Sequence, residues 1–146
     1  MMRVLAVDPG KKRVGVAVSD PTGTVARALV TLDGRDRYRL IGELTRLVDE
    51  HHADEVVLGL PLNLDGSPGP AARSAVWLRD RLARRVKVPV KLVDERLSTV
   101  IAQQVLDRGM QGEIDSAAAA VILQDYLDRH RKTEERGGPE SNRDSQ

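Results

Sequence analysis

Short apolar runs separated by turn residues dominate the first part of the chain. Val4–Val7 is continuously apolar, which is typical of a strand buried on both faces of a sheet. Arg13–Ser19 alternates valine with small residues and predicts a second strand. Thr24–Leu32 predicts a third, beyond the turn signal Asp20-Pro21-Thr22-Gly23. We therefore expect an antiparallel meander of three strands at the start of the chain.

Helical and strand patterns alternate after this meander. Apolar residues such as Leu40, Leu44 and Val48 recur on one helical face and predict an amphipathic helix. The element order βββαβαβαα predicts an α/β fold in which a mixed five-stranded sheet carries helices on both faces. The predicted elements are a helix over 36–52, a strand over Glu55–Leu60, a loop over Pro61–Pro70, a helix over Ala71–Val86, a strand over Val88–Val93, and helices over Ser98–Arg108 and Glu113–Arg131.

Composition limits the classes of protein to which this chain can belong. Its 146 residues suffice for one domain, predicted over 1–131, whereas residues 132–146 are charged, almost without apolar residues and predicted to be disordered. The absence of cysteine excludes disulfides, thiolate zinc sites and cysteine nucleophiles. No apolar stretch has the length of a membrane span and no export signal is seen, so we expect a cytoplasmic protein without a membrane partner.

Three acidic residues differ from the others by their position. Asp8 ends the most apolar strand, Glu95 follows the fifth strand, and Asp115 lies near the start of the last helix. If the first and fifth strands are parallel, Asp8 and Glu95 emerge at one edge of the sheet, and a packed helix can bring Asp115 there. Clustered carboxylates need a cation, and oxygen ligands without His or Cys suit Mg²⁺ or Mn²⁺. The alternative is that each acid caps a helix or pairs with an arginine.

The residues that follow Asp8 suggest a place for phosphate. A glycine two positions after a strand-end aspartate, here Gly10, allows a tight turn and the close approach of a phosphate. Lys11, Lys12 and Arg13 come next. They are candidates for contacts to a phosphate backbone, and the alternative is a solvated hairpin edge.

The segment Ser67–Val93 is strongly basic although the net charge of the chain is only +1. It contains seven basic residues and one acid, so its own charge is +6 and that of the rest is −5. A local basic stripe of this kind is the electrostatic footprint of a protein that binds a phosphate backbone.

Trp77, the only tryptophan, is predicted to lie on the outer face of its helix among Arg73, Arg81 and Arg84. Three interpretations are open: base stacking with cation–π support, a dimer contact, or an indole lying beneath arginine stems. The opposite, apolar stripe of this helix is predicted to consist of Ala71, Ala75, Leu78, Leu82 and Val86.

Four segments in one order resemble the YqgF/RuvX family, small bacterial proteins with an RNase H-like fold, over about Arg3–Arg131. Members are described as candidate processing nucleases for the 5′ end of pre-16S ribosomal RNA and as Holliday-junction resolvase-like proteins. The resemblance rests on Ala6–Ala17, Val57–Gly66, Asp94–Thr99 and Asp115–Ala119, and its most diagnostic strings are Gly-Leu-Pro-Leu-Asn at 59–63 and Asp-Glu-Arg-Leu-Ser-Thr at 94–99.

This resemblance implies that Asp8, Glu95 and Asp115 are the catalytic, metal-binding carboxylates, which are the same three acids selected by position. Ser116 and Ile101 stand where many members have a further acid. These departures make a fourth acidic ligand less expected and leave the three core acids unchanged.

The leading hypothesis is a divalent-metal-dependent endonuclease, a hydrolase acting on structured nucleic acid with Mg²⁺ or Mn²⁺ as cofactor. Asn63, Arg96 and Ser98 are further candidates for phosphate contacts. The substrate is either the pre-16S rRNA 5′ end or a Holliday junction, and the candidate partners are nucleic acid, the pre-ribosome and a second copy of the chain. The alternatives are a non-catalytic nucleic-acid-binding module and, less expected in a chain with room for one lobe, an actin-like phosphotransferase fragment.

Overall fold

A computed structural model describes residues 2–61, 65–94 and 114–137, with side chains of the last segment described over 116–130. The predicted helix over Ser98–Arg108 lies outside the described residues. The described residues form one five-stranded sheet in the order β3-β2-β1-β4-β5. Its strands are β1 (Val4–Asp8), β2 (Arg13–Ser19), β3 (Ala26–Asp33), β4 (Glu55–Leu60) and β5 (Val90–Asp94).

The sheet is mixed, as the element order predicts. β2 pairs antiparallel with both β1 and β3, which makes the first three strands a meander. β1 pairs parallel with β4, and β4 pairs parallel with β5. The central position of β1 explains its unbroken apolar run, because a central strand is covered on both faces.

Helices cover both faces of the sheet and create two apolar cores. The described helices are α1 (Arg37–Glu50), α2 (Pro70–Arg85) and α3 (Ile114–Gly137). On one face, α1 and α2 pack over Leu5, Val7, Val56 and Leu58. On the other face, α3 packs over Val4, Ala6, Ala17 and Val57. The alternation of these residues along β1 and β4 is the period-two pattern of a strand.

Strand boundaries differ from the prediction where side chains or proline interrupt the ladder. β3 begins at Ala26 rather than Thr24, because the backbone N–H groups of Thr24 and Val25 donate to the carboxylate of Asp20 instead. β5 begins at Val90 rather than Val88, since Pro89 between them has no N–H to donate.

The predicted core stripe of α2 is wrong at its first residue. Ala75, Leu78 and Leu82 are buried, but Ala71 is exposed and Ala72 is buried in its place. The helix begins at Pro70, a first-turn position that proline favours. Ala71, in the same turn, borders a cavity beside the turn that follows Asp8, so no described side chain packs over it.

The last helix is longer than predicted. α3 continues to Gly137, six residues beyond the predicted end at Arg131, through Lys132, Glu134, Glu135 and Arg136. These side chains have good intrinsic helix propensity, and a helix that is already nucleated extends at little cost. The domain limits remain a prediction, and residues 138–146 lie outside the described residues. Across the described residues, no helix is both long and apolar enough to cross a lipid bilayer.

Candidate active site

Asp8 lies at the carboxyl end of the central strand, beside the ends of two parallel neighbours. In the register of the sheet, Val7 pairs with Leu58 of β4, and Leu60 pairs with Asp94 of β5. The carboxyl ends of β1, β4 and β5 therefore form one edge, as expected if the first and fifth strands are parallel. Asp8 is half-buried there. This edge is the usual place for ligands in sheets with parallel strands.

The side chain of Asp8 belongs to the sheet face that α3 covers. Leu5 and Val7 lie in the core beneath α1 and α2, whereas Val4 and Ala6 lie in the core beneath α3. Because side chains alternate along a strand, Asp8 falls on the same face as Val4 and Ala6. The helix that carries Asp115 therefore packs on the face to which Asp8 belongs.

The other half of α3 is anchored at the opposite edge of the sheet. The Tyr126 hydroxyl donates to Oε1 of Glu55 at 2.6 Å, and Lys91 Nζ lies 2.7 Å from Oε2 of the same carboxylate. Glu55 is only 3% exposed and begins β4. Burial, followed by the hydrogen bond and the charge of Glu55, raises the pKa of Tyr126 above its ordinary value. A buried carboxylate is thus satisfied by two partners, one of which fixes α3.

The length of α3 between this anchor and Asp115 is close to the length of β1. Asp115 precedes Tyr126 by eleven residues, which corresponds to about 16 Å of helix. β1 spans five residues from Val4, beside Glu55, to Asp8, or about 13 Å between its first and last Cα atoms. A helix that runs from this anchor along β1 would bring its first turn, with Asp115 in it, to the edge that carries Asp8, and this placement stays a prediction.

The side chains of the other predicted metal ligands, and of three predicted phosphate contacts, lie outside the described residues. Glu95, Asn63, Arg96 and Ser98 lie outside the described residues, and of Asp115 only the backbone position in α3 is described. Within residues 2–61, 65–94 and 116–130, no three acidic or histidine side chains are grouped closely enough to hold a metal ion. The three-carboxylate site therefore stays a prediction.

The turn after Asp8 is as tight as its glycine predicts. A Cβ atom on Gly10 would lie 2.4 Å from the carbonyl oxygen of Arg13, so a larger residue would force the backbone apart. Gly34 closes against this turn, and its N–H donates to the carbonyl of Lys12 at 2.9 Å. Lys11, Lys12 and Arg13 are all exposed along it. Their exposure fits both a contact to a phosphate backbone and a solvated hairpin edge, so the contact stays a prediction.

Arg37 and Ser74 are polar residues of this region that the sequence analysis missed. The Arg37 guanidinium donates through Nη2 to the Ser74 hydroxyl and joins the start of α1 to the first turns of α2. Both side chains line a cavity of about 110 Å³ together with Pro9, Gly10 and Lys11. No sequence signal pairs residues that are 37 positions apart on separate helices.

Trp77 is less exposed to solvent than the sequence predicts. It is half-buried against the core between α1 and α2, and Tyr38 of α1 meets its ring edge-on with centroids 5.9 Å apart. α1 packs beside α2 and covers the flank that a single helical wheel leaves open. The Arg81 guanidinium lies 5.2 Å from the ring centroid, which matches the interpretation of an indole beneath an arginine. Arg73, Arg81 and Arg84 are exposed.

Comparison with known proteins places this arrangement among nucleases. A family model described as "RuvX: Holliday junction resolvase" matches residues 2–129. A protein of Myxococcus xanthus named "Putative pre-16S rRNA nuclease" is 43% identical over 136 residues, covering 89% of this chain and 90% of its own length. A protein of Chloroflexus aurantiacus with the same name is 39% identical over 139 residues and 91% of each chain.

Solved structures with low sequence identity share the fold. RuvC of Thermus thermophilus, in complex with a Holliday junction substrate, matches with a TM-score of 0.60 at 15% identity, over 91% of this chain and 98% of that one. The Fowlpox virus resolvase, in complex with Holliday junction DNA, matches with a TM-score of 0.53 at 14% identity, over 88% of this chain and 98% of that one. These likenesses confirm the predicted RNase H-like α/β fold.

Proposed function

Since the chain belongs to the RuvX family, we propose that it is a divalent-metal-dependent endonuclease whose Asp8, Glu95 and Asp115 carboxylates hold the cation. The observation that supports this most directly is the place of Asp8. It ends the central strand at the edge shared by the parallel strands, on the sheet face that α3 covers. We place Asp115, in the first turn of α3, at the same edge as part of this proposal.

The chemistry of the donors fits Mg²⁺ or Mn²⁺. Carboxylate oxygens are hard ligands, and a chain without cysteine offers no thiolate that would favour zinc. Asp8 is half-buried, so its charge is partly removed from water and gains from a nearby cation. A bound divalent cation would lower the pKa of a water nucleophile and offset charge on the leaving oxygen.

The basic side chains of the described region hold the flanking phosphates in this proposal. Lys11, Lys12 and Arg13 lie beside the turn that follows Asp8, and Arg73 lies in the first turn of α2. Arg81 and Arg84 continue the exposed basic surface along α2. Further proposed contacts are Trp77 and three residues outside the described part of the chain, Asn63, Arg96 and Ser98. Backbone contacts of this kind position a substrate without reading its sequence.

The relatives favour RNA as the first substrate to test. Proteins that are about 40% identical over nine-tenths of the chain carry the name of a pre-16S rRNA nuclease. We therefore propose the 5′ end of pre-16S rRNA, presented by the pre-ribosome in the cytoplasm, as the substrate. The description of the family model supports a four-way DNA junction as the second candidate. Junction resolution needs paired cuts and hence a two-fold dimer, which we propose only for that case.

A cleavage assay with a matched aspartate control tests the proposal. Wild type, Asp8→Asn and Asp33→Asn are incubated with a labelled pre-16S rRNA fragment or a labelled four-way DNA junction, in Mg²⁺, Mn²⁺ or EDTA. Asp33 also ends a strand, but it lies on the edge strand β3 and pairs with Arg35. We expect metal-dependent cleavage by wild type and Asp33→Asn, and a loss of at least about 100-fold in Asp8→Asn because cation binding is lost.

Two results would contradict this proposal. Cleavage that survives in EDTA or in Asp8→Asn would remove the metal site from the reaction. Salt-dependent binding of either probe without cleavage in any divalent cation would favour the non-catalytic binding module.

A further inference from the structure

A small cavity opens beside the turn that follows Asp8, on the α1 and α2 side of the sheet. The turn Pro9–Lys11 forms one wall, Arg37 at the start of α1 forms the second, and Pro70, Ala71 and Ser74 of α2 form the third. Its volume is about 110 Å³, which suits a small group rather than a whole nucleotide. The cavity is therefore next to Asp8 along the chain, but it lies on the sheet face opposite to the one to which the Asp8 side chain belongs.

The electrostatic character of this cavity is positive. Lys11 and Arg37 line it, and no acid is among the described residues that line it. The start of α2 adds to the positive potential because its N-cap residue, Gly69, has no side chain that could cap the free N–H groups. The start of α1 differs, since the Asp36 side chain accepts a hydrogen bond from the N–H of Arg39 there.

One donor of the Arg37 guanidinium has no acceptor among the described residues. Nη2 donates to the Ser74 hydroxyl, whereas Nη1 is buried and has no hydrogen-bond partner within residues 2–61, 65–94 and 116–130. A buried donor that lost its water without gaining an acceptor destabilises the protein. An anionic oxygen entering the cavity would remove that cost, and the long arginine side chain can adjust to meet it.

We propose that this cavity binds one phosphate of the nucleic-acid backbone, adjacent to the phosphodiester at the Asp8 site. The assignment rests on the proposed nuclease function for its choice of ligand. Arg37 and Lys11 supply charge, and the Ser74 hydroxyl and the first N–H groups of α2 supply donors. Pro9 directly follows Asp8. A phosphate held in this cavity would therefore position the neighbouring phosphodiester of the same nucleic-acid strand at the Asp8 site.

The first test removes the arginine charge and compares it with a neighbour. Arg37→Gln and Arg39→Gln differ from wild type by the same charge, but Arg39 is exposed and pairs with Glu43. Binding of a fluorescein-labelled RNA hairpin and of a labelled four-way DNA junction is measured by anisotropy in EDTA, where no cleavage occurs. We expect Kd to rise about tenfold in Arg37→Gln and less than about twofold in Arg39→Gln.

A second test gives opposite signs for folding and binding. Ala71 is exposed and lines the cavity in the first turn of α2. Ala71→Asp adds a carboxylate that favours a helix N-terminus, so Tm should stay equal or rise. The same carboxylate repels a phosphate, so Kd should rise about tenfold, whereas the neutral Ala71→Asn should bind as wild type does. A loss of affinity in a protein at least as stable as wild type cannot result from misfolding.

The outcomes separate this inference from the proposed function. If Asp8→Asn still cleaves while Arg37→Gln and Ala71→Asp bind weakly, the metal proposal fails and the phosphate site stands. Equal Kd values for Arg37→Gln and Arg39→Gln, equal Kd values for Ala71→Asp and Ala71→Asn, or no binding of either probe by wild type would each overturn the phosphate site. Thermal stabilisation by ATP that Arg37→Gln abolishes, with unchanged oligonucleotide binding, would overturn it in favour of a free nucleotide.

Discussion

Asp20 shows how one exposed side chain organises the connection between β2 and β3. Its carboxylate accepts hydrogen bonds from the Thr22 hydroxyl and from the N–H groups of Val25 at 2.9 Å and Thr24 at 2.8 Å. Together these bonds hold the pKa of Asp20 well below its ordinary value of 3.8, and the bond from Thr22 has the largest effect on that pKa. The charged form is therefore the form that stabilises the turn.

A pH dependence of stability follows from this shift. Because the folded pKa is depressed, the contribution of Asp20 is fully present above pH 3.8 and is lost as the pH falls through the lower folded pKa. Asp20→Asn should have a lower Tm than wild type at pH 7, and the difference should shrink as the pH falls from 4 to 2. Thr22→Val should show a smaller version of the same trend. A Tm difference that is constant across this range would contradict the assignment.

Residues with a local signature could be identified before the fold was known, and residues defined by packing could not. Asp8 is predictable because an apolar run followed by Asp-Pro-Gly marks the end of a buried strand. Arg37 has no such mark, since its environment arises only when α1 and α2 meet beside the β1–β2 turn. Trp77 was placed too far outward for the same reason, because one helical wheel does not contain the neighbouring helix.

At the scale of elements, a buried polar contact at one edge of the sheet helps to hold α3 in place. Tyr126→Phe removes the donor to Glu55, which is 3% exposed and then keeps only its ion pair with Lys91 among the contacts described above. We expect a loss of about 1–3 kcal/mol in the free energy of unfolding, measured by chemical denaturation. Tyr38→Phe is the matched control, since Tyr38 is 67% exposed, and should change stability by less than about 0.5 kcal/mol. Equal effects of the two variants would contradict the anchoring role.

Element types were predictable and element ends were not. Periodicity placed the helix that became Arg37–Glu50 and the strand Glu55–Leu60, because each has a clear amphipathic or apolar pattern. The start of β3 depended on the side chain of Asp20, and the end of α3 depended on propagation from a packed segment. Neither effect is visible as a change in hydrophobic pattern.

Across the whole molecule, charge is distributed far from evenly. The net charge is only +1, yet Arg73 and Arg84 expose their charges along α2, while Arg39 and Arg46 of α1 are paired with Glu43 and Glu50. The double variant Arg73→Gln/Arg84→Gln should reduce the slope of log affinity against log salt for a DNA junction by about 2, close to one per lost phosphate contact.

The matched double variant for this measurement is Arg39→Gln/Arg46→Gln, which removes the same charge from α1. Its salt slope should remain that of wild type, because both side chains already form i,i+4 ion pairs on the exposed face of α1. If both double variants lower the slope equally, binding depends on the total charge of the molecule and the basic surface of α2 has no special part in it.

The hydrogen bond between Tyr126 and Glu55 makes the Tyr126 ring a spectroscopic probe of the position of α3. The chain has only two tyrosines, and the other, Tyr38, stands beside Trp77 on the opposite face of the sheet. Fluorinated tyrosine would therefore give two NMR signals, one from each face. One continuous helix joins Tyr126 to the turn that contains Asp115, so we expect a displacement of that turn to change the surroundings of the Tyr126 ring. The chemical shift of Tyr126 would then report cation binding at the site proposed for Asp8, Glu95 and Asp115, with the signal of Tyr38 as the internal reference.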